Sequence, residues 1–178
     1  SIPPAENMLK LSQLMRVRRQ IIKSRIEAEN RLSERSSRLH GIGETYLHDT
    51  VAHFKAQEKA IDTETRDLIK DDESLYKKCK NLLTIPGVGK VTAALLIVLF
   101  NTHSFTKGEQ VAAFCGLVPK EYQSGTSVLG KSRLTKRGSG EIRGVLRMGA
   151  TAVLATLKNS HLKSFYQRMI NAGKPKKS

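Results

Sequence analysis

Apolar residues recur through the first part of the chain at steps of three and four. Met8, Leu11, Leu14, Met15, Val17, Ile21, Ile22, Ala28 and Leu32 follow a helical period and predict a helix over about Ala5 to Arg38, with Pro3-Pro4 ahead of its first turn. Gly41-Ile42-Gly43 breaks that run. In the second run, Glu44 to Leu83, the residues Leu47, Val51, Phe54, Glu58, Ile61, Thr65 and Leu68 step by alternating four and three, a heptad seam with two polar interruptions. Such a seam pairs the two helices within one chain or joins two chains, and the pattern leaves both open.

Past Asp71-Asp72-Glu73 the pattern changes. Lys77 to Leu83 leads into Ile85-Pro86-Gly87-Val88-Gly89-Lys90 and then an apolar helix, Val91 to Phe100. A further helix is predicted over Lys107 to Cys115, capped by Ser104 or Thr106. Two more are predicted over Gly140 to Asn159 and His161 to Ala172, before a basic tail, Lys174 to Lys177, expected to lack structure. The fold expected is mainly α. A long helical hairpin or coiled coil covers 1–79; a small helical domain with a helix-hairpin-helix-like element and a long basic loop covers 80–178.

Charge sharpens this division. The chain of 178 residues has a formal net charge of +15. Residues 1–79 hold 15 Lys and Arg against 13 Asp and Glu, a balance of +2, whereas residues 80–178 hold 16 against 3, a balance of +13. A solvated surface accounts for the first balance. The second points to a polyanionic partner, nucleic acid above all. Aromatics make up 5% of the chain and Trp is absent, which argues against a sheet-type base-stacking platform.

Cys79 and Cys115 are too few and too far apart for a disulfide framework or a zinc site, and the five His lack ligand spacing. No cofactor is expected in this chain. The longest apolar run, Ala93 to Phe100, is about half a bilayer span, so no membrane partner is expected and the location inferred is cytoplasmic and nucleoid-associated.

Two segments carry candidate chemistry. In Leu83 to Ala94, Pro86 stops one helix, Gly87 and Gly89 permit tight turns, and the amides opening the next helix can hold a phosphate with help from Lys90. Contacts of that kind position a nucleic-acid backbone without reading sequence. A plain helix–helix turn with glycines for packing is the bland alternative. The second segment, Gly116 to Arg147, holds seven cations, Lys120, Lys131, Arg133, Lys136, Arg137, Arg143 and Arg147, opposed only by Glu121 and Glu141. Within it Tyr122-Gln123-Ser124-Gly125-Thr126-Ser127 sets three hydroxyls beside a phenol. A Ser or Tyr can attack a phosphodiester if it is activated and if cations stabilise the developing charge. No His or carboxylate nearby is an evident base, and a polar phosphate-binding turn would look the same.

The ordered set L-L-x-I-P-G-V-G (Leu82 to Gly89), F-x-x-x-x-Q-V-A-A-F-C-G-L-V-P (Phe105 to Pro119), Y-x-S-G-T-S-V-x-G-x-S-R-L-T-K-x-G (Tyr122 to Gly138) and R-x-x-L-x-M-x-A (Arg143 to Ala150) spans about half the chain. It resembles the C-terminal transposase block of the insertion-sequence transposases related to the pilin-gene invertase, which are bridge-RNA-guided recombinases. The stretch Ala5 to Asp72 is similar to the coiled-coil linker preceding that block. The resemblance implies that Ser124 is the nucleophile; Tyr122, the phenol beside it, is the rival on the residues alone. The resemblance also implies a composite site completed by four acidic, Mg2+-binding residues of a RuvC-like domain, and a guide RNA that selects the DNA. Nothing before Ala5 encodes a RuvC-like domain, so the chain is expected to be a piece of a longer protein, inactive alone. The family further implies a homodimer or higher oligomer. Two other classes stay in view: a non-enzymatic helix-hairpin-helix module that only binds nucleic acid, and a coiled-coil assembly protein whose charge is incidental.

Overall fold

The computed structural model describes residues 6–35, 42–120, 123–124, 128–129, 133–135, 137–156 and 161–173; for Glu34, Arg35, Ile42, Lys120, Gln123, Ser124, Val128, Leu129 and Arg133 it describes the backbone. The protein is mainly helical. Seven helices among the described residues are α1 (Glu6–Arg35), α2 (Ile42–Asp71), α3 (Glu73–Leu83), α4 (Lys90–Thr102), α5 (Gly108–Phe114), α6 (Gly140–Thr156) and α7 (His161–Asn171). Four two-residue strands, β1 (Pro119–Lys120), β2 (Gln123–Ser124), β3 (Val128–Leu129) and β4 (Arg133–Leu134), lie between α5 and α6. The chain divides into two compact units, Ser1–Cys79 and Lys80–Ser178.

In the first unit α1 and α2 pair within the chain. Met8, Leu11 and Met15 are buried along α1, and Val51, Thr65 and Ile69 along α2. The expected α2 seam holds at Val51, Glu58 and Thr65 and steps by one residue at two other positions. Asp62 and Ile69 turn towards α1 in place of Ile61 and Leu68, which line a groove on the outside of the pair. Arg18 is the reason. Its guanidinium, buried at the seam, needs two carboxylates one helical turn apart: its Nε donates to Asp62 Oδ1 at 2.6 Å and its Nη2 to Glu58 Oε1 at 3.1 Å. Glu58 also accepts from Arg25 Nε at 3.1 Å, and Arg25 Nη1 donates to Glu29 at 2.9 Å. One carboxylate therefore joins two arginines of the facing helix. Thr65 Oγ1 lies buried near the same seam without a hydrogen-bond partner among the described residues.

The long second run predicted from Glu44 to Leu83 is two helices, because Asp72 stops one and starts the next. Its Oδ1 accepts from the Leu75 amide at 3.0 Å as the cap of α3, while Oδ2 accepts from Asn7 Nδ2 of α1 at 3.0 Å. The Leu75 amide first, and then Asn7, hold this carboxyl below its ordinary value.

The second unit is built on α4, which is buried on most sides from Thr92 to Leu99. Leu96, Leu99, Cys115 and Ile142 form its core, with Leu82, Val88, Phe105, Val111, Leu117 and Leu146 packed around them. Burial pushes the Cys115 thiol up in pKa, against the opposing charge of Arg143. The start of α5 differs from the expected cap. Neither Ser104 nor Thr106 caps it; the Gln110 side chain reaches back and accepts from the Thr106 amide at 2.8 Å and the Lys107 amide at 3.3 Å.

Removing Glu58 leaves Arg18 and Arg25 facing a gap at the seam, so Glu58→Ala should lower stability by about 2–4 kcal/mol. Lys23→Ala, at an exposed pair 3.9 Å from Glu27, should change it by under about 0.5 kcal/mol; urea titration followed by circular dichroism compares the two. For Asp72 the folded carboxyl titrates below its unfolded value. Its contribution is complete above the ordinary value of 3.8 and is lost as pH falls through and below it. Asp72→Asn should therefore flatten the acid limb of a stability-versus-pH curve in that window.

Candidate nucleic-acid interface and serine arm

The turn between α3 and α4 is set by Ile85-Pro86-Gly87-Val88. The Val88 amide donates to the Ile85 carbonyl at 3.0 Å, and Gly87 has φ +84°, so Pro and Gly occupy the two central positions of a type II turn. Val88 then enters the core. Gly89 is the N-cap of α4 and has no side chain to offer its amides, and α4 carries no acid in its first turn. Lys90, the first helical residue, is exposed. The helix thus presents uncapped amides beside a cation, an arrangement suited to an anion.

The two glycines of this turn do different things. A Cβ on Gly89 would meet nothing within 4 Å, whereas one on Gly87 would stand 2.6 Å from the Gly149 carbonyl oxygen of α6. Gly149 in turn faces the Gly87 carbonyl closely. Gly87 is accordingly where the turn docks on α6, and Gly89 and Lys90 are what it presents.

Ahead of α6, the described residues of the basic stretch pair as an antiparallel arm with a closed neck. At its base the Thr135 amide donates to the Val118 carbonyl at 3.0 Å, and β1 pairs with β4, setting Pro119 opposite Leu134 and Lys120 opposite Arg133. Further out β2 pairs with β3, setting Gln123 opposite Leu129 and Ser124 opposite Val128. Ser124 therefore sits in the outer rung. The neck is closed by Gly116 (φ +67°) against the Arg137 backbone and Gly138 (φ +98°) against the Phe114 carbonyl, where no side chain fits.

Arg143, expected to hold nucleic acid, spans this neck. Its Nη1 donates to the Cys115 carbonyl at 2.9 Å and to the Gly138 carbonyl at 3.3 Å, tying the first turn of α6 to both ends of the arm. Ser139 caps that turn through the Ile142 amide at 3.3 Å. Arg137 and Arg147 are exposed. Lys131, Lys136 and Tyr122 lie outside the described residues. Among the described residues no three His, Cys, Asp or Glu side chains come together in a way that could hold a metal, and no helix is long and apolar enough to cross a membrane. The roles of Gly149 and Arg143 escaped sequence reasoning. The flanking of one cationic stretch by Gly116 and Gly138 was the available signal for the neck.

Residues 79–167 match the family described as Transposase IS116/IS110/IS902. The chain is 31% identical over 180 residues to the pilin gene-inverting protein of Moraxella lacunata, covering 98% of this chain and 53% of that protein. The pilin gene-inverting protein of Moraxella bovis is 30% identical over the same shares. The transposase for insertion sequence element IS1111A of Coxiella burnetii is 38% identical over 84 residues, 46% of this chain and 22% of that protein. The chain spans about half the length of the pilin gene-inverting proteins it matches.

The docking of the turn on α6 can be checked with paired glycine substitutions. Gly149→Ala drives a methyl into the Gly87 carbonyl and should cost about 1–3 kcal/mol. Gly144→Ala, on the same helix with nothing within 4 Å, should stabilise by about 0.5–1 kcal/mol. Thermal melts of the two variants should therefore move in opposite directions.

Proposed function

This chain belongs to the IS116/IS110/IS902 transposase family, and from that premise we propose that its second unit is the strand-exchange part of a DNA transposase, with Ser124 as the nucleophile. The observation that carries this reading is the arm: a hydroxyl residue in the outer of two short antiparallel strand pairs whose neck is locked by backbone contacts, inside the family-matched segment. A nucleophile that must meet a duplex needs reach with a fixed origin, and such an arm offers both.

In this reading Ser124 Oγ gives up its proton and forms a bond to a DNA phosphorus. The bond from phosphorus to one sugar oxygen breaks, and that oxygen leaves as a hydroxyl. A hydroxyl of another strand then reverses the step, releasing the serine and joining the new strand. The phosphodiester count is conserved, so no external energy source is required. Lys120, Arg133 and Arg137, with Lys131 and Lys136 of the same stretch, oppose the negative charge that builds on phosphorus. Gly89 and Lys90 hold the DNA backbone at the start of α4, while Gly87 and Arg143 position the turn and the arm.

Among the described residues no three His, Cys, Asp or Glu side chains are grouped to hold a metal. Mg2+ belongs in this reading to the carboxylates of a RuvC-like domain that complete the site, and a guide RNA selects the DNA. The chain assembles as a homodimer or higher oligomer through the helical hairpin, a reading supported by the outer groove of α1 and α2. That groove is lined by Leu14, Val17, Ile61 and Leu68 with charges of both signs at its edges, among them Lys59 and Asp67. A second reading, a non-enzymatic helix-hairpin-helix module, rests on the uncapped start of α4 alone.

The two readings separate on one experiment with the full-length protein. Ser124→Ala should keep DNA and RNA binding and abolish the covalent protein–DNA adduct and recombination. An adduct mapped to Tyr122, or recombination by the Ser124 variant, overturns the assignment, and no adduct under any condition favours the binding module. Lys90→Ala should weaken binding about equally across DNA sequences and reduce the slope of log affinity against log salt by roughly one.

A further inference from the structure

Three of the five Phe residues and one His gather at the corner between α4 and α5. The Phe105 ring lies 6.1 Å from Phe100 and 5.7 Å from Phe114, both edge-on, and His103 lies 4.3 Å from Phe114 at a tilt of 47°. Only Phe105 joins the core. Phe100 and Phe114 remain 45% and 39% exposed, and His103 is exposed as well. A hydrophobic core needs none of this exposed ring surface.

Phe100, His103 and Phe105 border an open groove of about 510 Å³, lined also by Thr106, Lys107 and their neighbours. That volume falls within the roughly 300–1,000 Å³ of small-ligand sites. Its frame is fixed. The His103 amide donates to the Leu99 carbonyl at 3.1 Å, and Gln110 Oε1 accepts from the Thr106 amide and hydroxyl at 2.8 and 3.2 Å. The groove therefore sets ring faces within a largely polar lining, with a hydroxyl and a lysine, in a unit with a balance of +13 over residues 80–178.

The geometry points to a pocket for one unpaired nucleobase, stacked against Phe100 and His103 with its phosphate beside Lys107. Every base has a π-face, so such a pocket takes a flipped or single-stranded nucleotide with little regard for sequence, and a paired duplex cannot enter it. Tilted rings form a corner, not a flat platform, and a corner holds a single base. This deepens the nucleic-acid reading proposed above and rests on it.

The test uses the 178-residue chain with three probes: a single-stranded oligonucleotide bearing one 2-aminopurine, its abasic counterpart, and a duplex of the same sequence. Absence of Trp leaves the fluorescence of the probe base uncluttered. The unaltered chain should quench 2-aminopurine and bind the abasic strand more weakly. Phe100→Ala and His103→Ala, both at exposed positions, should each lose the quench and weaken single-strand binding roughly 5- to 150-fold, with duplex affinity within about twofold. His103→Phe should restore both. Unchanged quenching in the two alanine variants overturns the pocket, as does an equal loss on strand and duplex. If the unaltered chain binds neither single strands nor duplex, the nucleic-acid reading fails along with the pocket; duplex binding without single-strand binding sinks the pocket alone.

Discussion

Close approach of backbone to backbone governs the second unit. At Gly87 and Gly149 the turn before α4 rests directly on α6, and at Gly116 and Gly138 the two ends of the arm meet. Contacts of this kind leave no room for a side chain and little freedom to slide, so they fix where the elements between them start. Arg143 adds hydrogen bonds across the neck, to the Cys115 and Gly138 carbonyls. An arginine in a strongly basic segment thus spends its guanidinium on the frame. The exposed start of α4 and the outer rung with Ser124 are both referred to the same helix, α6.

Charge is used differently in the two units. In the first, carboxylates and guanidiniums meet across the seam, with Glu58 shared between Arg18 and Arg25 and Asp62 completing the pair. Burial of such groups is tolerable because each is hydrogen-bonded, and breaking the set is costlier than its net contribution suggests. Directional pairing also favours one register, since a shift by a turn would set Phe54 or Arg66 in place of one of the two carboxylates that hold Arg18. In the second unit sixteen cations face three acids along the sequence, over residues 80–178. Its field is left to act outward.

Helix positions were legible from the pattern of apolar residues, and so was the pairing of α1 with α2 as one of two readings. The family was legible too, because its motifs are ordered strings and not single residues. Less visible was the break at Asp72, where a capping carboxylate interrupts an otherwise continuous helical period. The shift of the α2 seam was hidden for a related reason. Ile61 and Leu68 carry the apolar signal, but a buried arginine on the facing helix selects Asp62. Hydrophobic periodicity does not register that demand.

Sequence by itself therefore determined the helical order, the uneven division of charge and the motif-bearing segments, since each depends on local spacing or composition. Tertiary structure alone decided which polar residues serve the frame and which are left to act. Gly87 and Gly89 are two residues apart and chemically identical, yet one is pressed against α6 and the other faces open space. Arg137 and Arg143 are likewise both cations of one basic stretch, yet the second is drawn onto main-chain carbonyls while the first stands exposed. The same holds for the aromatic corner: a scarcity of rings in the composition says nothing of their convergence, which arises because α4 ends and α5 begins beside the same core.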